Sequence, residues 1–138
     1  MEIDVDSLNA FGSKNLPGLI GVKVTKAGDG WMEAEADVCE KLMAPNGFLH
    51  AGTVVSLADT ACGYACVRNL PEGATGFTTI ELKSNFTGTA RDGRIRAIAK
   101  VLHSGKTTQL WEAKVIHIET DKVIAHFSCT QMVLWPRT

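Results

Sequence analysis

Nothing in this sequence is apolar for long enough to cross a bilayer, and Met1-Glu2-Ile3-Asp4-Val5-Asp6 has neither the basic start nor the apolar stretch of an export signal. An excess of one charge is also missing. Fourteen Lys and Arg stand against fifteen Asp and Glu, so the formal net charge of -1 leaves no electrostatic footprint for nucleic acid or an anionic membrane. Cysteine is sparse and unpatterned. Cys39, Cys62, Cys66 and Cys129 lack metal-ligand spacing, and Cys62 and Cys66 stand one helical turn apart among small residues. Small buried thiols are therefore expected rather than a metal site or disulfides, which points to a reducing compartment, the cytoplasm. His103, His117 and His126 show no mutual ligand spacing either, and structural or surface roles are expected for them.

What is present is a single domain's worth of chain: 138 residues, 45% hydrophobic and 21% charged. Residues 1–15 read as a helical extension, with Ser7-Leu8-Asn9-Ala10-Phe11 able to make a short helical turn, and Pro17-Gly18 as the break that launches the first strand. Ile20 to Thr25 and Trp31 to Val38 both alternate at period two around Gly28-Asp29-Gly30, an antiparallel hairpin. Four more β-rich segments follow residue 76: Phe77 to Phe86, Arg94 to His103, Thr107 to Ile118 and Val123 to Leu134. Turn residues at Thr87-Gly88, Asp92-Gly93 and Ser104-Gly105 divide them into a four-strand meander. Trp31, Trp111 and Trp135 fall in these strands, where core or interface packing is the default.

Between hairpin and meander lies the informative stretch. Pro45-Asn46-Gly47 is a turn cluster, and from His50 to about Arg68 Val54, Val55, Ala58, Cys62 and Ala65 recur at helical spacing. The order is α+β, with one helix covering one antiparallel sheet. Such a sheet leaves edges to manage, so association with another copy is expected, through an edge strand or the helix side. Ala51, Gly52, Ala58, Ala61, Gly63 and Ala65 make the helix lean enough for other backbone to approach closely.

Two features of that helix carry chemistry. Its first backbone N–H groups, near Ala51 and Gly52, have no intrahelical acceptor and can hold a developing oxyanion. Asp59 is a carboxylate in an apolar helix whose neighbours three and four positions away are Val55, Ser56, Cys62 and Gly63, none of them cationic. A tertiary ion pair or an exposed helix edge would explain it structurally, and an active-site acid would explain it functionally. Nine residues separate His50 from Asp59, roughly 13 Å along a helix. One reacting carbonyl cannot touch both, so a shared site requires two subunits with helices side by side.

Asn46-Gly47-Phe48-Leu49-His50-Ala51-Gly52 followed by Asp59 resembles the hotdog-fold thioesterases, in particular the branch of phenylacetate-pathway (PaaI-type) and hydroxybenzoyl-CoA enzymes. Their helix begins His-Gly-Gly and carries Asp or Glu a little over two turns on. The likeness continues through Thr78-Thr79-Ile80-Glu81-Leu82-Lys83-Ser84-Asn85-Phe86, Arg91-Asp92-Gly93 and His103-Ser104-Gly105-Lys106-Thr107, covering most of the chain from about residue 16.

The resemblance implies an antiparallel sheet wrapped around one long central helix, a dimer or dimer of dimers, and hydrolysis of an acyl-CoA or aryl-CoA thioester. No separate cofactor or metal is implied, coenzyme A being part of the substrate. By the same likeness Asp59 is nucleophile or general base, the Ala51 N–H is the oxyanion donor, and His50 orients the loop or polarises the thioester. Gly52 completes that turn. The family's helper amide falls at Ala44, leaving Asn46 as the nearest amide, and its supporting hydroxyl one turn past the acid falls at Gly63, leaving Thr78 and Thr79, of which Thr79 aligns better. Thr78, Asn85, Arg91, Ser104, Gly105, Lys106 and Thr107 become candidates for contact with substrate and the CoA nucleotide. Gly105-Lys106-Thr107 lacks the strand-to-helix context of a phosphate loop. A non-catalytic acyl-CoA binder using the same groove is the competing reading, and Asp59 separates the two, since a binder has no need of an unpaired acid.

Overall fold

The computed structural model describes residues 3–137. Asp4 caps α1 (Val5–Phe11) by accepting from the Ser7 N–H, and α1 packs on the body through Leu8, 2% exposed. The Pro17-Gly18 pair does not open a strand. It lies inside a short helix, α2 (Leu16–Leu19), because proline's fixed φ and missing N–H suit the first turn of a helix, and Gly21 at φ +77° then turns the chain into β1.

Strand β1 (Lys23–Gly28) pairs with β2 (Trp31–Asp37) as the alternation predicts. A short 3-10 turn, Glu40–Leu42, leads to α3 (Ala51–Arg68), and β3 (Gly76–Phe86), β4 (Arg94–Ser104), β5 (Thr108–His117) and β6 (Lys122–Leu134) complete one six-stranded antiparallel sheet. This is the expected α+β arrangement, a sheet around a single long helix. Among the described residues, no helix is long and apolar enough to cross a membrane.

The meander is incomplete. Sheet order is β1-β2-β4-β5-β6-β3, so β3 pairs with β6 at the far edge, while β4 joins β2 in the middle. Thr87-Gly88 therefore does not close a hairpin; both N–H groups donate to the Ile124 carbonyl, and the chain crosses before turning at Gly93 (φ +75°). The reason lies in the inward faces. Ile95, Ala97 and Ala99 of β4 are completely buried, as a central strand requires, whereas the inward face of β3 mixes Phe77, Leu82 and Phe86 with Thr79 and Ser84 and none of these is fully buried, as at an edge. Trp111 is fully buried in β5, Trp31 is 38% exposed, and Trp135 lies past the end of β6 rather than within it.

The core is lean where helix meets sheet. Ala58, Ala61, Cys62, Ala65 and Cys66 of α3 lie among Ala34, Ala36, Ala97, Ala99, Ala113 and Ala125 of the strands. The far end of α3 is anchored by a polar chain, in which the Trp111 indole donates to Gln109 Oε1 (2.8 Å) and Gln109 Nε2 donates to the Asn69 carbonyl (2.9 Å). His117 is structural as expected: its ring nitrogens lie 2.8 Å from Thr120 Oγ1 and 2.9 Å from the Asp92 carbonyl.

Cys62, Cys66 and Cys129 are buried and unpaired by disulfides, and Cys39 is half-buried. The Cys62 thiol is pushed well above its ordinary range, by its hydrogen bond to Cys129 first and burial second, and burial pushes Cys66 up to about 12. Thiolate, the reactive form, is therefore scarce at both. Titration with a chromogenic disulfide reagent at pH 8 should give one promptly reacting thiol in the folded protein and four after denaturation; rapid native reaction of more than one would contradict the packing.

Candidate active site

The loop before α3 is built to present the helix start. Ala44 N–H donates to the Phe48 carbonyl (2.7 Å), Asn46 Oδ1 accepts from the Phe48 N–H (3.2 Å), and Gly47 takes φ +87°, a left-handed conformation that favours glycine. Leu49 N–H donates to the Ala90 carbonyl, which ties this loop to the segment leading into β4. Asn46 thus spends its carbonyl inside its own turn, retaining only its amide N–H groups for anything else.

His50 is the N-cap of α3, and its Nδ1 accepts from the Gly52 N–H at 2.8 Å. Two consequences follow. A neutral ring whose Nδ1 accepts carries its proton on Nε2, so the outward nitrogen is a donor. The Gly52 N–H, one of the two predicted oxyanion donors, is already engaged, which leaves the Ala51 N–H at the first helical position, where no intrahelical acceptor exists. His50, Ala51 and Gly52 are all exposed.

Asp59 stands further along α3 with its Oδ1 buried and without a hydrogen-bond partner. Burial raises its carboxyl above the ordinary value of 3.8, and no opposing charge lowers it. The thiol of Cys62 lies close enough to feel its charge. Gly63, one turn beyond Asp59 on the same face, has Phe77 of β3 packed so tightly that a Cβ there would stand 3.1 Å from Phe77 Cζ. The hydroxyl missing at Gly63 is thus the consequence of an aromatic ring occupying its place.

The other expected residues divide by position. Thr79 is on the inward face of β3, its Oγ1 2.6 Å from Oε1 of the fully buried Gln131. Thr78 and Asn85 pair with the exposed Met132 and His126 and so point to the outer face, away from Asp59. Arg91 lies beside the helix start, its guanidinium 4.7 Å from the Phe48 ring centroid. Ser104, Gly105, Lys106 and Thr107 form a turn at the opposite end, where Asn69 Nδ2 donates to Ser104 Oγ (2.9 Å), Gly105 N–H to the Thr108 carbonyl (2.8 Å) and Val133 N–H to the Thr107 carbonyl. Lys106 accepts from the Trp135 indole at its carbonyl and places its Nζ 5.9 Å from that ring. The 18 residues of α3, about 27 Å, separate this turn from Arg91 within one chain. Gln131 escaped the sequence reading, although its strand parity with Phe127, Cys129 and Val133 is the signal that could have placed it inward.

The Asp59 environment has a measurable cost. A carboxyl with a raised folded-state pKa holds its proton more tightly folded than unfolded, so stability falls as pH rises from 3.8 through the folded value, and the penalty is complete above it. Asp59→Asn should therefore melt a few degrees above the parent at pH 7, with the gap closing below pH 3.8. Thermal melts at both pH values check this; no gap at pH 7 contradicts it.

Comparison with known proteins gives the family and the fold. The family model described as the Thioesterase superfamily matches residues 46–124, the span from the loop before α3 into β6. The chain is 32% identical to the 1,4-dihydroxy-2-naphthoyl-CoA hydrolase of Escherichia coli over 83% of each chain, and 31% identical to the enzyme of that name from Listeria monocytogenes over 80% of this chain and 89% of the relative. Among solved structures, a thioesterase from Haemophilus influenzae superposes with a TM-score of 0.90 at 26% identity, covering 97% of this chain and 92% of that one. A mutant thioesterase from Pseudomonas aeruginosa gives 0.91 at 25% identity, with 97% and 96% covered. With a helix opened by His50, a buried acid at Asp59 and an antiparallel sheet around them, this chain belongs to the thioesterase superfamily and has the hotdog fold.

Proposed function

We propose that this protein hydrolyses an acyl-CoA or aryl-CoA thioester to the free acid and CoA at a site shared by two subunits. Asp59 of one subunit serves as nucleophile or general base, and the Ala51 N–H of the other holds the oxyanion. The observation that carries this reading is the buried, unpartnered Oδ1 of Asp59, a cost that a stability-driven core would not keep. The relatives named as naphthoyl-CoA hydrolases support a CoA thioester as substrate and make an aromatic acyl group the first to try.

The second subunit is called for by distance and by an open edge. Ala51 and Asp59 of one helix are separated by eight residues, roughly 12 Å, too far for one tetrahedral centre. Strand β3 is 11 residues long and pairs on one side only, with β6, while Leu82 and Phe86 on its inward face remain 45% and 46% exposed. A long, apolar edge of this kind is covered economically by an identical strand about a two-fold axis. Antiparallel helices would then bring the Ala51 end of one subunit towards Asp59 of the next. They would also set Arg91 of one subunit near the Ser104–Thr107 turn of the other, a pair of groups suited to the CoA phosphates.

Free CoA release across a panel of aryl and acyl thioesters tests the reaction. Asp59→Asn and Asp59→Ala should lower kcat by roughly two to four orders of magnitude, and full activity in either ends the proposal. Sharing between subunits is tested by complementation. Ala51→Pro removes the N–H at a first helical position, where proline is tolerated. Alone it should be nearly inactive, as should Asp59→Asn. Refolded together, the two should regain about a quarter of parental activity, because random pairing makes half the dimers mixed and each mixed dimer holds one intact site out of two. No recovery would place both groups in a single-subunit site.

A further inference from the structure

We propose that Gln131 is a positioning residue for this hydrolysis, acting through Thr79: its amide oxygen accepts the hydrogen bond of the Thr79 hydroxyl, so that Thr79 offers only lone pairs to the water that attacks the thioester. The inference rests on the function proposed for Asp59 and identifies what stands behind that acid.

Thr79 is level with Asp59. Gly63, one turn past Asp59, receives the Phe77 ring, and β3 runs antiparallel to α3, since its continuation reaches Ala90 beside the start of the helix. Stepping four residues back from Gly63 to Asp59 covers about 6 Å, and stepping two forward from Phe77 to Thr79 covers about 6.6 Å. Thr79 is inward on β3 and Asp59 lies on the helix face that Gly63 presents to Phe77, so the two are brought to one level between helix and strand.

The direction of the Thr79 hydroxyl is fixed. Its oxygen is 2.6 Å from Gln131 Oε1, a length that suits O–H···O and is short for N–H···O, so the hydroxyl donates and the amide oxygen accepts. Gln131 is 0% exposed, and its Nε2 is turned to Cys129 Sγ at 3.5 Å, which leaves its oxygen dedicated to Thr79. A free threonine hydroxyl beside a buried carboxylate would instead donate to it. Asp59 Oδ1 has no such donor. By occupying the Thr79 proton, Gln131 keeps Asp59 unquenched and basic; burial alone sets its raised pKa.

The step balances as follows. Water gives one proton to the Asp59 carboxylate and hydrogen-bonds through the other to Thr79 Oγ1, while its oxygen bonds to the thioester carbon. The C–S bond then breaks, and the CoA thiolate recovers the proton from Asp59, leaving acid and thiol. Two acceptors at fixed positions orient the water's lone pair towards the carbon.

The test is steady-state kinetics on the full chain with its best thioester, for Gln131→Met, Thr79→Val, Thr79→Ser and the Gln131→Met/Thr79→Val pair. Methionine keeps the glutamine's length without its hydrogen bonds; should that variant not fold, Gln131→Thr, a good strand former too short to reach Thr79, replaces it. Gln131→Met and Thr79→Val should each lower kcat on the order of tenfold at unchanged KM, Thr79→Ser should retain most of the rate, and the pair should be no worse than Thr79→Val alone. If Asp59→Asn is inactive while Gln131→Met keeps the parental kcat, changes KM alone, or multiplies its loss with that of Thr79→Val, Gln131 is only a tether between strands and the inference falls while Asp59 stands. If Asp59→Asn is itself fully active, the function reading falls first.

Discussion

The structure depends on how closely α3 lies against its sheet. Alanine faces alanine across most of that interface, with Ala58, Ala61 and Ala65 among Ala34, Ala97, Ala99 and Ala113, so the helix packs backbone-near and has little freedom to roll. Larger side chains would hold the two layers apart and let the helix rotate between alternative packings. At this distance the angular position of every residue on α3 is set, and with it the direction of Asp59. The far end is held separately through Trp111, Gln109 and Asn69, and the near end by the His50 cap and the Leu49–Ala90 bond. A carboxylate can be carried at a desolvated position only on an element this firmly clamped.

The same closeness explains the departures around the acid. At Gly63 the Phe77 ring of the neighbouring strand fills the notch that a side chain would need, and under the proposed mechanism the hydroxyl serving Asp59 comes instead from Thr79, two residues along β3. Helix and strand have exchanged duties: an aromatic ring from the strand packs where the helix would have offered a polar group, and the strand supplies the polar group. Glutamine at 131 follows from that exchange, since a strand hydroxyl turned inward between apolar layers needs an acceptor of its own.

Local signals are legible in the sequence, and long-range ones less so. The start of α3, the hairpin before it and Asp59's lack of a cationic neighbour are all properties of residues within one or two turns of each other, and periodicity and capping report on such distances directly. Strand partners are different. Thr87-Gly88 announces a turn in either topology, and what separates a central strand from an edge one is burial set by distant partners, complete at Ile95, Ala97 and Ala99 and only partial along the inward face of β3. The engagement of the Gly52 N–H by His50 was hidden for another reason, because a histidine at an N-cap can accept through its ring or swing away, and the choice is made by rotamer. Thr78 and Asn85 fell on the outer face through a one-residue matter of parity, complicated by the bulge that shifts register between Thr79 and Glu81.

That bulge also bears on association. A β-bulge strengthens local twist, and here it interrupts β3 at Ile80, 52% exposed, in the one long strand with an open side. Bulges often protect an edge from unwanted pairing, yet Glu81 to Phe86 beyond it run in unbroken register with Thr130 to Ala125. The bulge therefore divides β3 into a first part, with Phe77 against Gly63 and Thr79 bonded to Gln131, and a second, regular part whose inward Leu82 and Phe86 stay 45% and 46% exposed. Ser84 adds a buried hydroxyl without a partner to that second part. An identical strand meeting this regular segment would cover the apolar side chains and leave the Thr79 segment, with its set hydroxyl, free to face the acid. In the proposed assembly the division would keep association and chemistry on one strand without either disturbing the other's register.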